Sequence, residues 1–170
     1  MENGDWFKMI LIINICNEKL HEFEFVKPIE DILKGGKIKF KTEHYKKITK
    51  KDLLAEKIII CGTSLKDNYF LENLKYFKWL KNFNKPVLGI CGGSHIIGLI
   101  LGNKLKNKKE IGLKEINIKK EFLGIKGKRK VYYLHNLQVL PETFNHQNFY
   151  AILFHPEVRN KELTVNFCNL

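Results

Sequence analysis

Pro86-Val87-Leu88-Gly89-Ile90-Cys91-Gly92-Gly93-Ser94-His95-Ile96-Ile97-Gly98-Leu99-Ile100-Leu101 reads as a short buried strand, a very tight turn and an apolar helix. The turn has the form Gly-x-Cys-x-Gly, a thiol version of the strand–nucleophile–helix elbow. A side chain held at the tip of such a turn sits on strained backbone. The chain on either side must pass close to its neighbours, which Gly89 and Gly93 permit because they lack a Cβ. Cys91 then stands at a helix N-terminus, where free N–H groups and the helix dipole favour a thiolate. The same five residues also fit a buried structural cysteine in a Gly-rich βα turn.

Outward from this elbow, alternating strands and helices are expected. Lys8 to Ile15 is a continuous apolar run, the mark of a strand buried on both faces of a parallel sheet. Phe23 to Leu33 predicts the first helix, with Pro28 tolerated only near a start or a break. Gly35-Gly36 stops it. Lys37 to Lys41 alternates as a more exposed second strand, and Thr49 is an N-cap candidate for a short helix over Ile48 to Leu54. Lys57 to Cys61 is a third strand ending at Gly62-Thr63-Ser64. A helix from about Asn68 to Phe83 carries Phe70, Leu71, Leu74, Phe77, Trp79 and Leu80 on a broad apolar face. Short links between these elements predict an α/β fold with a doubly wound, mostly parallel sheet, in which ligands bind beyond the carboxyl ends of the strands.

After Gly102 the texture changes. Asn103 to Glu110 reads as a solvated lysine-rich loop. Leu113 to Lys119, Lys130 to Leu134 and Leu137 to Leu140 read as short strands with turns at Gly124 and Gly127. Phe149 to Phe154 is a further buried strand, and Lys161 to Leu170 a closing helix.

The composition is that of a globular chain: 170 residues, 44% hydrophobic, with 12 Phe. That length suits a single domain over residues 1–170. No run is long and apolar enough to span a bilayer, and Met1 to Asp5 lacks the basic start of a signal peptide. The four cysteines, Cys16, Cys61, Cys91 and Cys168, are scattered without a Cys-x-x-Cys pair. This argues against a zinc site or a disulfide framework and makes a reducing cytoplasm the expected compartment. Net charge is +12, yet Arg129 and Arg159 are the only arginines among 30 basic residues. A reader of nucleic acid favours arginine, and these lysines are spread along the chain, which weighs against a nucleic-acid role; an acidic protein partner fits at least as well.

The strand ending at Phe154 runs into His155-Pro156-Glu157. Residues two apart on an extended chain project to the same side, and Pro156 stiffens the segment. Glu157 is placed to hold one imidazole nitrogen of His155, leaving the other free as a base. A cysteine elbow and a His-x-Glu pair, each at a strand end, are the parts of a Cys-His-Glu triad.

Together these segments resemble the class I glutamine amidotransferases, most closely the separate glutaminase subunits that serve archaeal GMP synthase. Gly89-Ile90-Cys91-Gly92-Gly93 resembles the family elbow. Phe154-His155-Pro156-Glu157-Val158 resembles its Phe-His-Pro-Glu-Val segment. Glu110-Ile111-Gly112, Val131-Tyr132-Tyr133-Leu134-His135-Asn136 and Asn166-Phe167 fall where the family has related segments. The resemblance implies a flavodoxin-like amidotransferase fold and glutamine as substrate. Cys91 would be the nucleophile, His155 the proton carrier and Glu157 its orienting carboxylate. Gly62 and Gly92 would supply an oxyanion hole, and His95, His135 and Asn136 would contact substrate. No cofactor or metal is implied. Ammonia would pass to an ATP-dependent synthetase partner of the ATP pyrophosphatase type, since the chain has no Gly-x-x-x-x-Gly-Lys-Ser/Thr loop of its own.

The sequence departs from that family at four places. His95 stands where the family has glutamine. Its Gly-Gly-Pro loop is reduced to Gly62-Thr63-Ser64. The stretch from Pro141 to Tyr150, which includes a surface His146, is short, so a strand or hairpin near the substrate is expected to be trimmed. Asn136 also replaces the glycine that usually follows His135. Two other readings therefore remain: a regulatory or scaffolding relative with an altered glutamine pocket, and a hydrolase of other γ-glutamyl amides.

Overall fold

The computed structural model describes residues 8–170; the Met1 to Asp5 segment lies outside the described residues. A six-stranded sheet has the order β2-β1-β3-β4-β8-β7, and β5 (Lys106–Phe122) and β6 (Ile125–Gln138) form a separate two-stranded ribbon. The strands β1 (Ile10–Asn14), β2 (Phe40–His44), β3 (Lys57–Ile60), β4 (Val87–Ile90) and β8 (Phe149–Ile152) are parallel, and β7 (Thr143–His146) is an antiparallel edge. Every residue of β1, β3 and β4 is buried, the apolar runs and the polar Asn14 and Lys57 at their ends alike.

Alternation along these strands builds two cores. Ile10, Ile12, Ile59, Leu88 and Ile90 face one layer, which holds α2 (Lys27–Gly35), α5 (Glu162–Cys168) and the inner side of the ribbon. Leu11, Ile13, Ile58, Ile60 and Val87 face the other, which holds Phe70, Phe77 and Leu80 and the helix α4 (Gly92–Ile100). The chain is thus wound on both faces of the sheet. The reversal of strand order lies between β1 and β3, where such sheets open a crevice.

Several elements differ from the sequence expectation, for identifiable reasons. The first helix is in three parts: α1 (Lys19–His21), a π turn over Glu22–Val26, and α2. Pro28 falls in the first turn of α2, and the wide π turn ahead of it accommodates a ring that would crowd the carbonyl four residues back. The second strand starts at Phe40 rather than Lys37. Lys37, in left-handed backbone at φ 54°, and Ile38, whose N–H donates to Leu33 O at 2.9 Å, are used to close α2. Thr49 and Asp52 do cap one another, but over a 3₁₀ turn, Asp52–Leu54.

The Asn68–Phe83 helix is a short α turn, α3 (Tyr69–Glu72), followed by 3₁₀ structure over Leu74–Asn82. Leu71, Leu74, Phe77, Leu80 and Phe83 recur every three residues, the period at which a 3₁₀ helix keeps one face inward. The largest departure is the ribbon. The lysine-rich loop and three short strands are two long ones, β5 (Lys106–Phe122) and β6 (Ile125–Gln138). Their tight turn has Leu123 at φ 48° and Gly124 at φ 73°, the paired positive angles of a hairpin turn, whereas Gly127 lies within β6. The short Pro141–Tyr150 stretch still closes a hairpin, β7 to β8, with Gln147 at φ 53° in its turn and His146 exposed.

Candidate active site

The elbow is as tight as its sequence. Cys91 has φ 47° and ψ −102°, a strained combination for a non-glycine residue. Its N–H donates to Ile152 O at 2.7 Å, and its carbonyl accepts from Ser94 N, His95 N and the Ser94 hydroxyl. These bonds pin the residue between β8 and the first turn of α4. The N–H of Gly92 opens that helix ahead of its first internal bonds. The Cys91 sulfur is directed toward Leu134 O on β6, 3.7 Å away.

The neighbouring strand order β3-β4-β8 sets three strand ends side by side, and each contributes one part. Gly62 follows β3, Cys91 follows β4, and His155 follows β8. A Cβ on Gly62 would lie 2.9 Å from His155 Cε1 and 3.3 Å from Cys91 Cβ, so both side chains stand against the same bare backbone. His155 Nδ1 is 2.7 Å from Glu157 Oε1, and both side chains are buried. Phe25 covers the imidazole, with ring centroids 5.3 Å apart. The His155 N–H donates to Tyr132 O, which ties the histidine to the ribbon.

Electrostatics of the pair follow from burial and charge. Burial, the largest single influence, pulls His155 toward its neutral form. The Glu157 carboxylate and the Cys91 sulfur together outweigh it and hold the imidazole well above its ordinary value. A raised folded-state value stabilises the fold fully below about pH 6.5 and ceases to do so as pH rises through it. Glu157→Gln removes the carboxylate and leaves burial dominant. The Tm gap between wild type and Glu157→Gln is therefore expected to be widest at about pH 5–6.5 and to narrow toward alkaline pH. A gap that widens with rising pH in thermal melts contradicts this assignment of charge.

Beside Cys91 lies a narrow cleft of ≈ 10 Å³, room for little more than one water as it stands. It is lined by Thr63 to Leu65, Leu134 to Asn136, Gly92 and His95. The residues expected to contact substrate, His95, His135 and Asn136, thus share one cleft with Cys91. His95 is also structurally engaged: its Nε2–H donates to Leu137 O at 3.0 Å. Burial, then the nearby His135, push its imidazole down to about 4, so it is neutral at pH 7. His135 is likewise held below its ordinary value, first by burial, and its Nδ1–H donates to Lys108 O at 3.0 Å. Its Nε2 faces Glu110 Oε2 at 3.4 Å.

Two supporting groups were not legible in the sequence. Asp67 is buried and its Oδ2 accepts from Asn17 N, Glu18 N, His21 Nδ1 and the Thr63 hydroxyl. It fastens the Gly62-Thr63-Ser64 loop to the segment after β1. The only local sign is a turn, Asp67 N to Ser64 O at 3.1 Å. The Leu134 carbonyl is backbone, and no residue type announces it.

Comparison with known proteins gives the same family. The family model for glutamine amidotransferase class-I matches residues 19–148, which include Cys91 and end before His155. The chain is 32% identical over 107 residues to a glutamine-hydrolyzing GMP synthase subunit from Sulfolobus acidocaldarius, covering 49% of this chain and 57% of that one. It is 32% identical over 103 residues to the glutamine-hydrolyzing GMP synthase of Staphylococcus epidermidis, covering 48% of this chain and 20% of that one. The chain therefore spans little more than half the length of the first relative and a fifth of the second.

Among solved structures, a Thermoplasma acidophilum protein provisionally assigned as a GMP synthase subunit superposes with a TM-score of 0.82 at 18% identity, covering 95% of this chain and 92% of that one. A glutamine amidotransferase from Thermotoga maritima superposes at 0.59 and 20% identity, covering 88% and 76%. At such identities the likeness is one of fold. The match to the family model spans most of the chain, and on that ground the protein belongs to the class I glutamine amidotransferases.

Proposed function

We propose that the protein is a glutaminase subunit that hydrolyses glutamine through a Cys91 thioester and delivers the ammonia to an ATP-dependent synthetase, with GMP synthase as the leading candidate. The observation that carries this reading is the meeting of Cys91 and His155 against Gly62, with Glu157 2.7 Å behind the imidazole.

In the proposed reaction the Cys91 sulfur attacks the side-chain amide carbon of glutamine. The carbonyl π electrons move onto oxygen, and the Gly92 N–H and the backbone N–H of Gly62 stabilise that charge. His155 carries the thiol proton to the departing nitrogen, and the C–N bond breaks to give ammonia and a glutamyl thioester. Water then attacks the thioester carbon while His155 takes its proton, and glutamate leaves as the sulfur is restored. Glu157 holds the imidazole in orientation and balances its charge. His95, in place of the family glutamine, offers the substrate a neutral imidazole edge.

The test is glutamate release from glutamine, with and without the GMP synthase synthetase partner of the same organism, together with labelling of Cys91 by a glutamine-like electrophile. No release and no labelling would leave the regulatory or scaffolding reading. Release from γ-glutamyl peptides but not from glutamine would move the substrate to other γ-glutamyl amides. Gly62→Ala tests the geometry. The new methyl group presses on the buried imidazole and the Cys91 side chain, so kcat for glutamate release is expected to fall about 100-fold, with the overpacking costing about 1–3 kcal/mol and so lowering Tm by several degrees. An unchanged kcat would mean that the pair does not act at this wall.

A further inference from the structure

The loop that follows β3, Gly62-Thr63-Ser64-Leu65, contains no proline, so no ring fixes its dihedrals, and Gly62 adds freedom. Thr63, Ser64 and Leu65 nevertheless line the cleft beside Cys91. A backbone N–H helps a reaction only if it stands against the oxygen on which charge develops, and misplacement by about 1 Å costs about 100-fold in rate. Something outside the loop must therefore hold it. The Cys16 thiol, on the segment after β1, donates to Gly62 O at 3.7 Å. In a trans peptide the N–H lies opposite the C=O, so this bond turns the Thr63 N–H away from Cys16. Cys16 and Cys91 follow the strands on either side of β3. Among the described residues the Thr63 N–H has no backbone acceptor.

The second hold on the loop is Asp67. The Thr63 hydroxyl donates to its Oδ2 at 3.0 Å, and its own N–H donates back to Ser64 O at 3.1 Å. The same Oδ2 accepts from Asn17 N at 2.8 Å, Glu18 N at 3.4 Å and His21 Nδ1 at 2.7 Å. Three donors thus fix the carboxylate to the segment after β1, and the fourth carries that fixed point to the loop. Asp67 is only 3% exposed, and Thr63 is buried beside it. A carboxylate removed from water is tolerated only while its donors are in place, and each bond to it is about twice as strong as one between neutral groups. The Thr63 side chain is therefore the one part of the loop held by a charge-assisted bond. Asp67 Oδ1 is buried and has no partner among the described residues, so all of its anchoring runs through Oδ2.

We propose that Asp67 is a positioning residue for the Cys91 reaction: through the Thr63 hydroxyl it holds the Gly62–Thr63 backbone with its N–H groups against the oxygen that becomes negative when the sulfur attacks. This role rests on the glutaminase reading of the site. It differs from a merely structural one in what it predicts, because only a step that builds charge on oxygen depends on it.

The experiment uses the full chain, with and without the GMP synthase synthetase of the same organism, and reads two reactions of Cys91. Glutamate release passes through an oxyanion. Alkylation by iodoacetamide, in which the sulfur displaces iodide, does not. Thr63→Val keeps the shape of the side chain and removes only the hydroxyl. It is expected to lower kcat for glutamate release about 30-fold, with KM within about 3-fold and alkylation of Cys91 no slower than in wild type. Thr63→Ser restores the hydroxyl and is expected to recover most of that loss. Asp67→Asn still offers an oxygen to the four donors but no charge, and is expected to lower kcat about 10-fold. A Tm of Thr63→Val within about 5 °C of wild type shows that the fold survives, and this variant keeps the test if Asp67→Asn does not fold. An unchanged kcat in Thr63→Val, alkylation slowed as much as release, or a Thr63→Ser chain as slow as Thr63→Val would each overturn the positioning role alone. A wild-type chain that iodoacetamide labels at Cys91 but that releases no glutamate in either condition defeats the glutaminase reading, and the positioning role with it.

Discussion

Cys91→Ala is expected to remove glutamate release by at least about 10⁴-fold while the fold persists. No other thiol can take over. Cys16 and Cys61 are buried, with burial pushing the former up to about 12 and the latter well above its ordinary range, so neither supplies a thiolate at neutral pH. Burial likewise pushes Cys168 up to about 11. The companion substitution Cys91→Gly reads the backbone rather than the chemistry. At φ 47° and ψ −102° any side chain is strained by about 1–3 kcal/mol, and glycine relieves this. Glycine loses more chain entropy on folding, about 0.5–1 kcal/mol, so the net difference is smaller than the strain. Both variants lack the thiol and neither should turn over, yet Cys91→Gly is expected to melt at or above Cys91→Ala. That order reverses the usual cost of glycine. A clearly lower Tm for Cys91→Gly would mean the elbow is not strained, and full activity in Cys91→Ala would mean the nucleophile lies elsewhere.

How far the sequence could be read depends on how local each signal is. Ile10–Asn14, Lys57–Ile60 and Val87–Ile90 are short apolar runs buried on both faces, and such a strand declares itself without reference to its neighbours. The elbow and the His155-Pro156-Glu157 segment are likewise self-contained turns. The ribbon is different. Its inner face is built from Ile116, Ile118, Ile125, Val131 and Tyr133, but the lysines and glutamates between them dilute the alternation, and the long pairing exists only across the turn. Over a few residues, the period of three from Leu71 to Phe83 is close enough to 3.6 to pass for an α-helix. In the site, Cys91 and His155 could be named because their residue types carry chemistry. Asp67 could not, because three of its four donors come from the distant segment after β1, and the Leu134 carbonyl could not, because every residue has one.

Gly93→Ala is the substitution expected to cost the most stability, more than about 3 kcal/mol and so about 6–12 °C or more in Tm. A Cβ at Gly93 would overlap the Ile60 carbonyl oxygen and stand 2.9 Å from its carbon, and both atoms belong to the central strand β3. A flexible side chain in that place would swing aside. The β3 backbone cannot, because Ile60 lies between β1 and β4 in a fully bonded parallel sheet and its side chain is buried among Phe70, Ile96 and Ile97. Gly89→Ala meets the same obstacle from the other side, with its Cβ 2.5 Å from the Gly93 carbonyl, and should fall in the same range. Gly35→Ala, at the end of α2 with nothing within 4 Å, is the control and should leave Tm unchanged or slightly raised. The contrast carries a consequence for the site. The close packing that forbids a methyl group at Gly93 presses the start of α4 onto β3, and so sets Cys91 beside Gly62 and His155. A Gly93→Ala chain that melts like wild type would show that α4 has room to lift from the sheet. The spacing of the three strand ends would then no longer follow from the glycines.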